Sequence, residues 1–156
     1  MKPLLLFLLL LTGASQCGDS ATALDPVSDE LVVRSGTSFG MCMGYCVKRL
    51  ELAGTKAIFT QESHIDKQRY PTKSCQRAIS QEKAMNLKSM ARFDAFQRLP
   101  KRFGCPDCAD GGAEFIELQL GDQTHRVEFE YGKTIPGFEA LVRDLRAQRA
   151  EFDTCN

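Results

Sequence analysis

The chain has 156 residues, with 20 Lys and Arg against 20 Asp and Glu, seven Cys, ten Phe, three Tyr and no Trp. A formal charge of zero argues against nucleic-acid binding, whose usual footprint is a strongly basic domain. Hydrophobic content of 43% and charged content of 26% exclude disordered and collagen-like chains, and the length suits a single domain with its own core. From the N-terminus, Lys2 is followed by the unbroken apolar run Leu4–Leu11 and then by small residues, Thr12-Gly13-Ala14-Ser15. That order is the pattern of a secretory signal peptide, expected over residues 1–16. The run is far too short to span a bilayer, which takes about 20 apolar residues. The expected location is therefore outside the cytoplasm: periplasmic, attached to the outer membrane, or secreted.

Cys17 resembles the lipid-modified first residue of bacterial lipoproteins, although Gln16 stands where that motif has a small residue. Ordinary cleavage, for example after Ser15, is the competing expectation. Contact with a membrane is expected only through such an anchor. Residues 17–30 are small, polar and acidic and read as a tether, leaving residues 31–156 as one domain.

Within that domain Leu31–Arg34 reads as a short strand, and the Gly-rich residues 35–44 as a loop. Tyr45–Leu52 alternates, with Cys46, Lys48, Leu50 and Leu52 on one side; Ala53-Gly54 is a turn and Lys56–Thr60 returns as a strand. Residues 62–70 are polar and irregular, and Thr72–Ala78 is extended. Ser80 is expected to cap a helix through Leu87. The apolar positions 84, 87, 90, 93, 96 and 99 are three apart, so one straight helix would not bury them together. The sequence Asp94-Ala95-Phe96-Gln97 therefore predicts a second short helix starting near a capping box and stopping before Pro100.

Glu114–Leu120 alternates, with Ile116, Leu118 and Leu120 on one face. Gly121-Asp122 predicts a two-residue hairpin, and Thr124–Tyr131 alternates back with Val127, Phe129 and Tyr131 inward. Ile135–Phe152 carries Phe138, Leu141, Val142, Leu145 and Phe152 at helical spacing. Together these predict an α+β fold: an antiparallel sheet of four to five strands in two hairpins, with two helical segments on one face.

Six cysteines besides Cys17 are disulfide candidates: Cys42, Cys46, Cys75, Cys105, Cys108 and Cys155. An even set suits an oxidising compartment, with fifteen formal connectivities. Pairing the near neighbours, Cys42 with Cys46 and Cys105 with Cys108, would leave Cys75 with Cys155, closing a long loop worth on the order of 4 kcal/mol. Cross-pairing of the two couples is equally legal. Two chemical alternatives use the same residues. Cys42, Cys46, Cys105 and Cys108 could supply four thiolates to zinc. Cys105-Pro106-Asp107-Cys108 resembles the redox motif of thioredoxin-like oxidoreductases, but Ala109-Asp110-Gly111-Gly112 is a turn where those enzymes open a helix.

No other catalytic constellation is present. His125 reads as a strand-face or edge residue and His64 as a loop residue. The carboxylates Glu114, Glu117, Glu128 and Glu130 read as solvated strand positions. The charge balance hides an asymmetry: residues 62–102 carry ten cations against four acids, net +6, and residues 105–130 carry seven acids against Arg126, net −6. Mutual neutralisation across the fold is one expectation; a basic helix surface meeting an acidic partner or an anionic envelope polymer is the other.

The strings Phe39-Gly40-Met41-Cys42-Met43-Gly44-Tyr45-Cys46 and Gly104-Cys105-Pro106-Asp107-Cys108-Ala109-Asp110-Gly111-Gly112-Ala113-Glu114 resemble those of an uncharacterised family of bacterial secreted or lipoprotein-like proteins, a domain-of-unknown-function group. The resemblance spans about residues 31–152. It implies an envelope location and a small α+β domain, and it brings no activity and no catalytic residues. The expectation is thus an exported, disulfide-stabilised, non-catalytic binding module of the cell envelope, with thiol–disulfide exchange and four-cysteine zinc binding as alternatives.

Overall fold

The computed structural model describes residues 30–152. The expected signal peptide, most of the tether, Cys17 and Cys155 fall outside the described residues. The chain runs β1 (Leu31–Ser38), β2 (Val47–Ala53), β3 (Lys56–Glu62), β4 (Lys73–Ala78), α1 (Gln81–Ala91), α2 (Phe93–Phe96), β5 (Arg102–Phe103), β6 (Ala113–Leu120), β7 (Gln123–Glu130) and α3 (Glu139–Ala150). The strands form one seven-stranded sheet in the order β4-β3-β2-β1-β6-β7-β5. Every neighbouring pair is antiparallel except β5 with β7.

The class is α+β as expected, but the sheet is larger than four to five strands. Two features account for the difference. The first four strands form a continuous meander rather than one hairpin, and β5 is a two-residue edge strand too short to show a period. Strand β1 also runs on through Ser35-Gly36-Thr37-Ser38, which the glycine content had assigned to a loop. There the side chain of Phe115, on β6, lies over Gly36: a Cβ on Gly36 would stand 2.6 Å from its ring. The glycine marks a close approach inside a strand rather than a break.

One face of the sheet carries the core. Val33, Leu50, Leu52, Phe59, Ile116, Leu118, Val127 and Phe129 point to it and pack against Leu87, Phe96, Phe138, Leu141 and Leu145 from the helical segments. These are the alternating positions of the strands and the i, i+3, i+4 positions of α3, so the periods of 2 and 3.6 meet in one layer. The other face has no helix upon it among the described residues. It is covered by an ion-pair ladder in which Arg34 bonds Glu51 at 2.7 Å and Glu117 at 3.1 Å.

Ser80 caps α1 as expected, accepting from the Lys83 N–H. The break at the end of α1 is also present, but its mechanism differs from the expectation. Arg92 adopts a left-handed conformation (φ 37°), α2 begins directly after it, and Asp94 does not cap. The turn after Ala91 lets Leu87, Phe93 and Phe96 reach the same core. Helix α3 starts at Glu139 rather than at Ile135; Ile135 and Phe138 are buried in the turn before it. Tyr131, expected to face inward, lies past the end of β7 and is 51% exposed. Among the described residues no helix is long and apolar enough to cross a membrane.

Candidate functional site

The antiparallel order brings four connections to one end of the sheet: residues 39–46, 63–72, 104–112 and 131–138. Both cysteine strings are there. Cys42 is bonded to Cys46 and Cys105 to Cys108, with Cα–Cα separations of 5.6 and 5.5 Å, inside the range disulfides require. Neighbour pairing is therefore the pattern, not cross-pairing. Cys75 is disulfide-bonded too, and its expected partner Cys155 lies outside the described residues. With all four sulfurs in disulfides, the four-thiolate zinc arrangement is not formed, since zinc is held by thiolates. Among the described residues no group of three or more His, Cys, Asp or Glu is placed to hold a metal ion.

The two strings bind each other. The Asp107 carboxylate accepts from the Gly112 N–H at 3.1 Å and from the Gly40 N–H at 3.4 Å, so one acid spans both disulfide loops. The Phe39 ring fills the space beside Gly112: a Cβ there would come within 2.3 Å of the ring, and the backbone is left-handed at φ 80°. Only glycine satisfies both demands. Phe39 then meets Tyr131 edge to face, with centroids 4.9 Å apart. The loop after β3 joins the same end, because Tyr45 donates its hydroxyl proton to the Pro71 carbonyl at 3.0 Å. Glu130 secures the start of the second string by accepting from the Cys105 N–H at 2.8 Å. This frame presents two methionines outward: Met41 is 79% and Met43 84% exposed.

Cys105–Cys108 does not open a helix. It leads through a 3-10 turn over Cys108–Asp110, with Asp107, Ala109 and Asp110 left-handed, into β6. Both cysteines are exposed.

Beneath this end lies the feature that sequence reading missed. Glu114, expected to be solvated, is 1% exposed. It is held by Arg146 Nη2 at 2.7 Å, Arg149 Nη2 at 2.7 Å and the Gly132 N–H at 3.1 Å. Arg149 reaches on to the Ser35 hydroxyl. Burial pushes the Glu114 carboxyl up, but the Arg146 hydrogen bond, the Gly132 amide and the charges of Arg149 and Arg146 outweigh it, so its pKa lies below the usual range. Burial pushes Arg149 down, and Glu114 offsets part of that. The signal was available: Glu114 shares parity with Ile116 and Leu118, and Arg149 lies four and seven residues from the core positions Leu145 and Val142. The mouth above the cluster is a cleft of about 400 Å³ lined by Thr37, Phe39, Lys48, Tyr131 and Arg146.

The histidines fall as expected. His125 is on β7, its Nε2 3.0 Å from the Leu99 carbonyl, and His64 is exposed in the loop after β3. The two charged segments meet in the sheet where β5 lies beside β7, with Arg102 the register partner of Glu128. Among the described residues no ion pair joins 62–102 to 105–130; Arg77 and Lys83 go to Glu151, directly after α3, and Glu114 and Glu117 take arginines from α3, β1 and β7.

Exchanging Asp107 for alanine should uncouple the two loops at a cost of about 1 kcal/mol. Amide hydrogen exchange would check this: protection at Gly40 and Gly112 is expected to fall, while that of β2 stays unchanged.

The sequence matches no protein-family model, and no curated protein matches it.

Proposed function

We propose that this protein is an exported, disulfide-stabilised, non-catalytic binding module of the cell envelope that meets its partner with the braced loop end. The observation that carries this is the mutual locking of the two cysteine strings through Asp107 and through Phe39 on Gly112. A frame tied down this way lowers the entropy cost of presenting Met41, Met43 and Tyr131 to another molecule. Methionine and tyrosine are residues enriched where proteins meet. Disulfides persist in oxidising compartments, which supports export. The likeness of both strings to bacterial secreted and lipoprotein-like proteins agrees with that address, and an anchor at Cys17 is part of the same proposal.

Two measurements test it. Mass spectrometry of protein isolated from its native compartment should find no alkylatable thiol at Cys42, Cys46, Cys105 or Cys108 before reduction; free thiols there would sink the disulfide frame. A photoreactive residue at position 43 should then give a defined crosslinked species in intact cells that the same group at position 55, at the opposite end of the sheet, does not. Equal crosslinking from both positions would rule out the loop end as the binding surface.

The rival reading is thiol–disulfide exchange at Cys105 and Cys108, and the exposure of both residues favours it. An insulin-reduction activity that disappears in Cys105→Ser would establish it; an activity unchanged by that substitution would remove it.

A further inference from the structure

We infer that the cleft above Glu114 binds a small organic monocarboxylate with a flat apolar body, and that the Thr37 hydroxyl and the Arg146 guanidinium receive its carboxylate. Three adjacent strands build the floor. Thr37 on β1 is the register partner of Lys48 on β2 and of Glu114 on β6, and directly opposed residues of an antiparallel sheet share a face. Arg146 and Arg149 reach down from α3 to the Glu114 carboxylate. The cleft, about 400 Å³, lies between this row and the helix, with Phe39 and Tyr131 in its wall.

Two observations point to an anion. The first is Thr37, which is 8% exposed. At that depth a hydroxyl is ordinarily hydrogen-bonded, yet among the described residues none bonds this one. The hydroxyl is not sealed in. Every enclosed side-chain N or O of the described residues has a partner, so the small part of Thr37 that solvent reaches includes its oxygen, and Thr37 lines the cleft. A donor without a partner therefore stands at the floor of the hollow.

The second observation is charge. Glu114 is the one acid lining the cleft among the described residues, and two guanidiniums meet it. That cluster keeps one positive charge in excess. Arg146 commits Nε and Nη2 to Glu114 and to the Lys133 carbonyl. Its Nη1 bonds no protein group among the described residues, and the side chain is 31% exposed. A hydroxyl and a guanidinium nitrogen beside one excess charge suit the two oxygens of a carboxylate. A phosphate monoester would bring close to two negative charges, more than the cluster offsets. The Phe39 and Tyr131 rings, edge to face at 4.9 Å, give the body of the ligand an apolar surface. The volume lies in the lower part of the range for ligand pockets, about 300–1,000 Å³, which sets the size at a single-ring acid.

The test uses the chain as isolated from its compartment and 3-phenylpropionate. Titration should saturate one site and shift the amide resonances of Thr37 and Gly132. The neutral analogue 3-phenylpropionamide should bind about tenfold more weakly, since hydrogen bonds to a charged group are the stronger ones. Thr37→Val should lose about tenfold in affinity for the acid, while Thr37→Ser, which keeps the hydroxyl, should retain it. Arg146→Gln, which removes the excess charge, should also lose about tenfold. Met41→Ser/Met43→Ser should leave this binding intact, so the inference and the loop-end proposal can fail separately. The assignment is overturned if the unaltered chain does not bind the acid, if the amide binds equally well, if Thr37→Val and Thr37→Ser lose affinity equally, or if neither does. Tighter binding of phenyl phosphate would overturn carboxylate as the recognised group. Tighter binding of an acetylated tripeptide with a free C-terminal phenylalanine would overturn a free acid as its source.

Discussion

Glu114→Gln should cost about 3–5 kcal/mol, the usual penalty when one member of a buried charge cluster is removed and its partner is left uncompensated. The amide keeps the shape but not the charge. Arg149, with a side chain 10% exposed, is then left with the Ser35 hydroxyl and a neutral amide inside the protein. Losing this much from a domain whose total stability is on the order of 5–15 kcal/mol would be visible in any urea titration. Arg146, at 31% side-chain exposure, can turn to water, so Arg146→Gln should cost far less. Replacing both buried partners, Glu114→Leu with Arg149→Met, should recover much of the loss, because the desolvation penalty goes together with the attraction. A double variant no better than Glu114→Gln would mean that the cluster contributes by packing rather than by charge.

The same cluster sets an acid limit. The folded-state pKa of Glu114 lies below its ordinary value of 4.5. Its contribution to stability is therefore complete above that value and is lost as pH falls through the lower, folded-state value. Urea midpoints taken through the acid range should show the unaltered chain and Glu114→Gln converging on acidification. A gap between them that stays constant would contradict the ionised state of the carboxylate.

How much of this was legible in the sequence depended on whether a signal was periodic or singular. The hairpin at Gly121-Asp122, the alternation of Val127 and Phe129, and the cap at Ser80 each rest on a local rule, and each is present in the structure. The short Cys-x₃-Cys and Cys-x₂-Cys spacings made neighbour pairing readable as one of several options. Glu114 sets two signals against each other: its residue type reads as solvated, while its parity with Ile116 and Leu118 places it on the core face. A glutamate on the core face is unusual, and the arginines that make it tolerable arrive from α3, more than thirty positions along the chain. Strand β5 could not have been read, since a two-residue parallel edge exists only by virtue of β7. The interlocking of the cysteine strings was hidden for the same reason. Asp107 and Gly40 are 67 positions apart, and only the sheet order, which puts β1 beside β6, brings them together.

Gly36 carries the second large effect. Substitution by alanine leaves the strand backbone acceptable, yet the added Cβ would stand 2.3 Å from the Lys48 carbonyl oxygen and 2.6 Å from the Phe115 ring. The first contact is with backbone of the neighbouring strand, which cannot step aside as a flexible side chain could. Overpacking of a well-packed site costs about 1–3 kcal/mol. Gly36→Ala belongs at the upper end of that range, because β1 is a central strand whose displacement is felt by both β2 and β6. The ring and the carbonyl can be separated experimentally. Phe115→Leu removes only the aromatic part of the conflict, so the double variant Gly36→Ala/Phe115→Leu should be less destabilised than the two single costs added together, by a coupling of roughly 0.5–1 kcal/mol. The carbonyl contact remains in the double variant, so the rescue should be partial. Equal urea midpoints for Gly36→Ala and the unaltered chain would mean that β1 does not run on past Arg34 as a strand, and that it ends where the glycine content suggests.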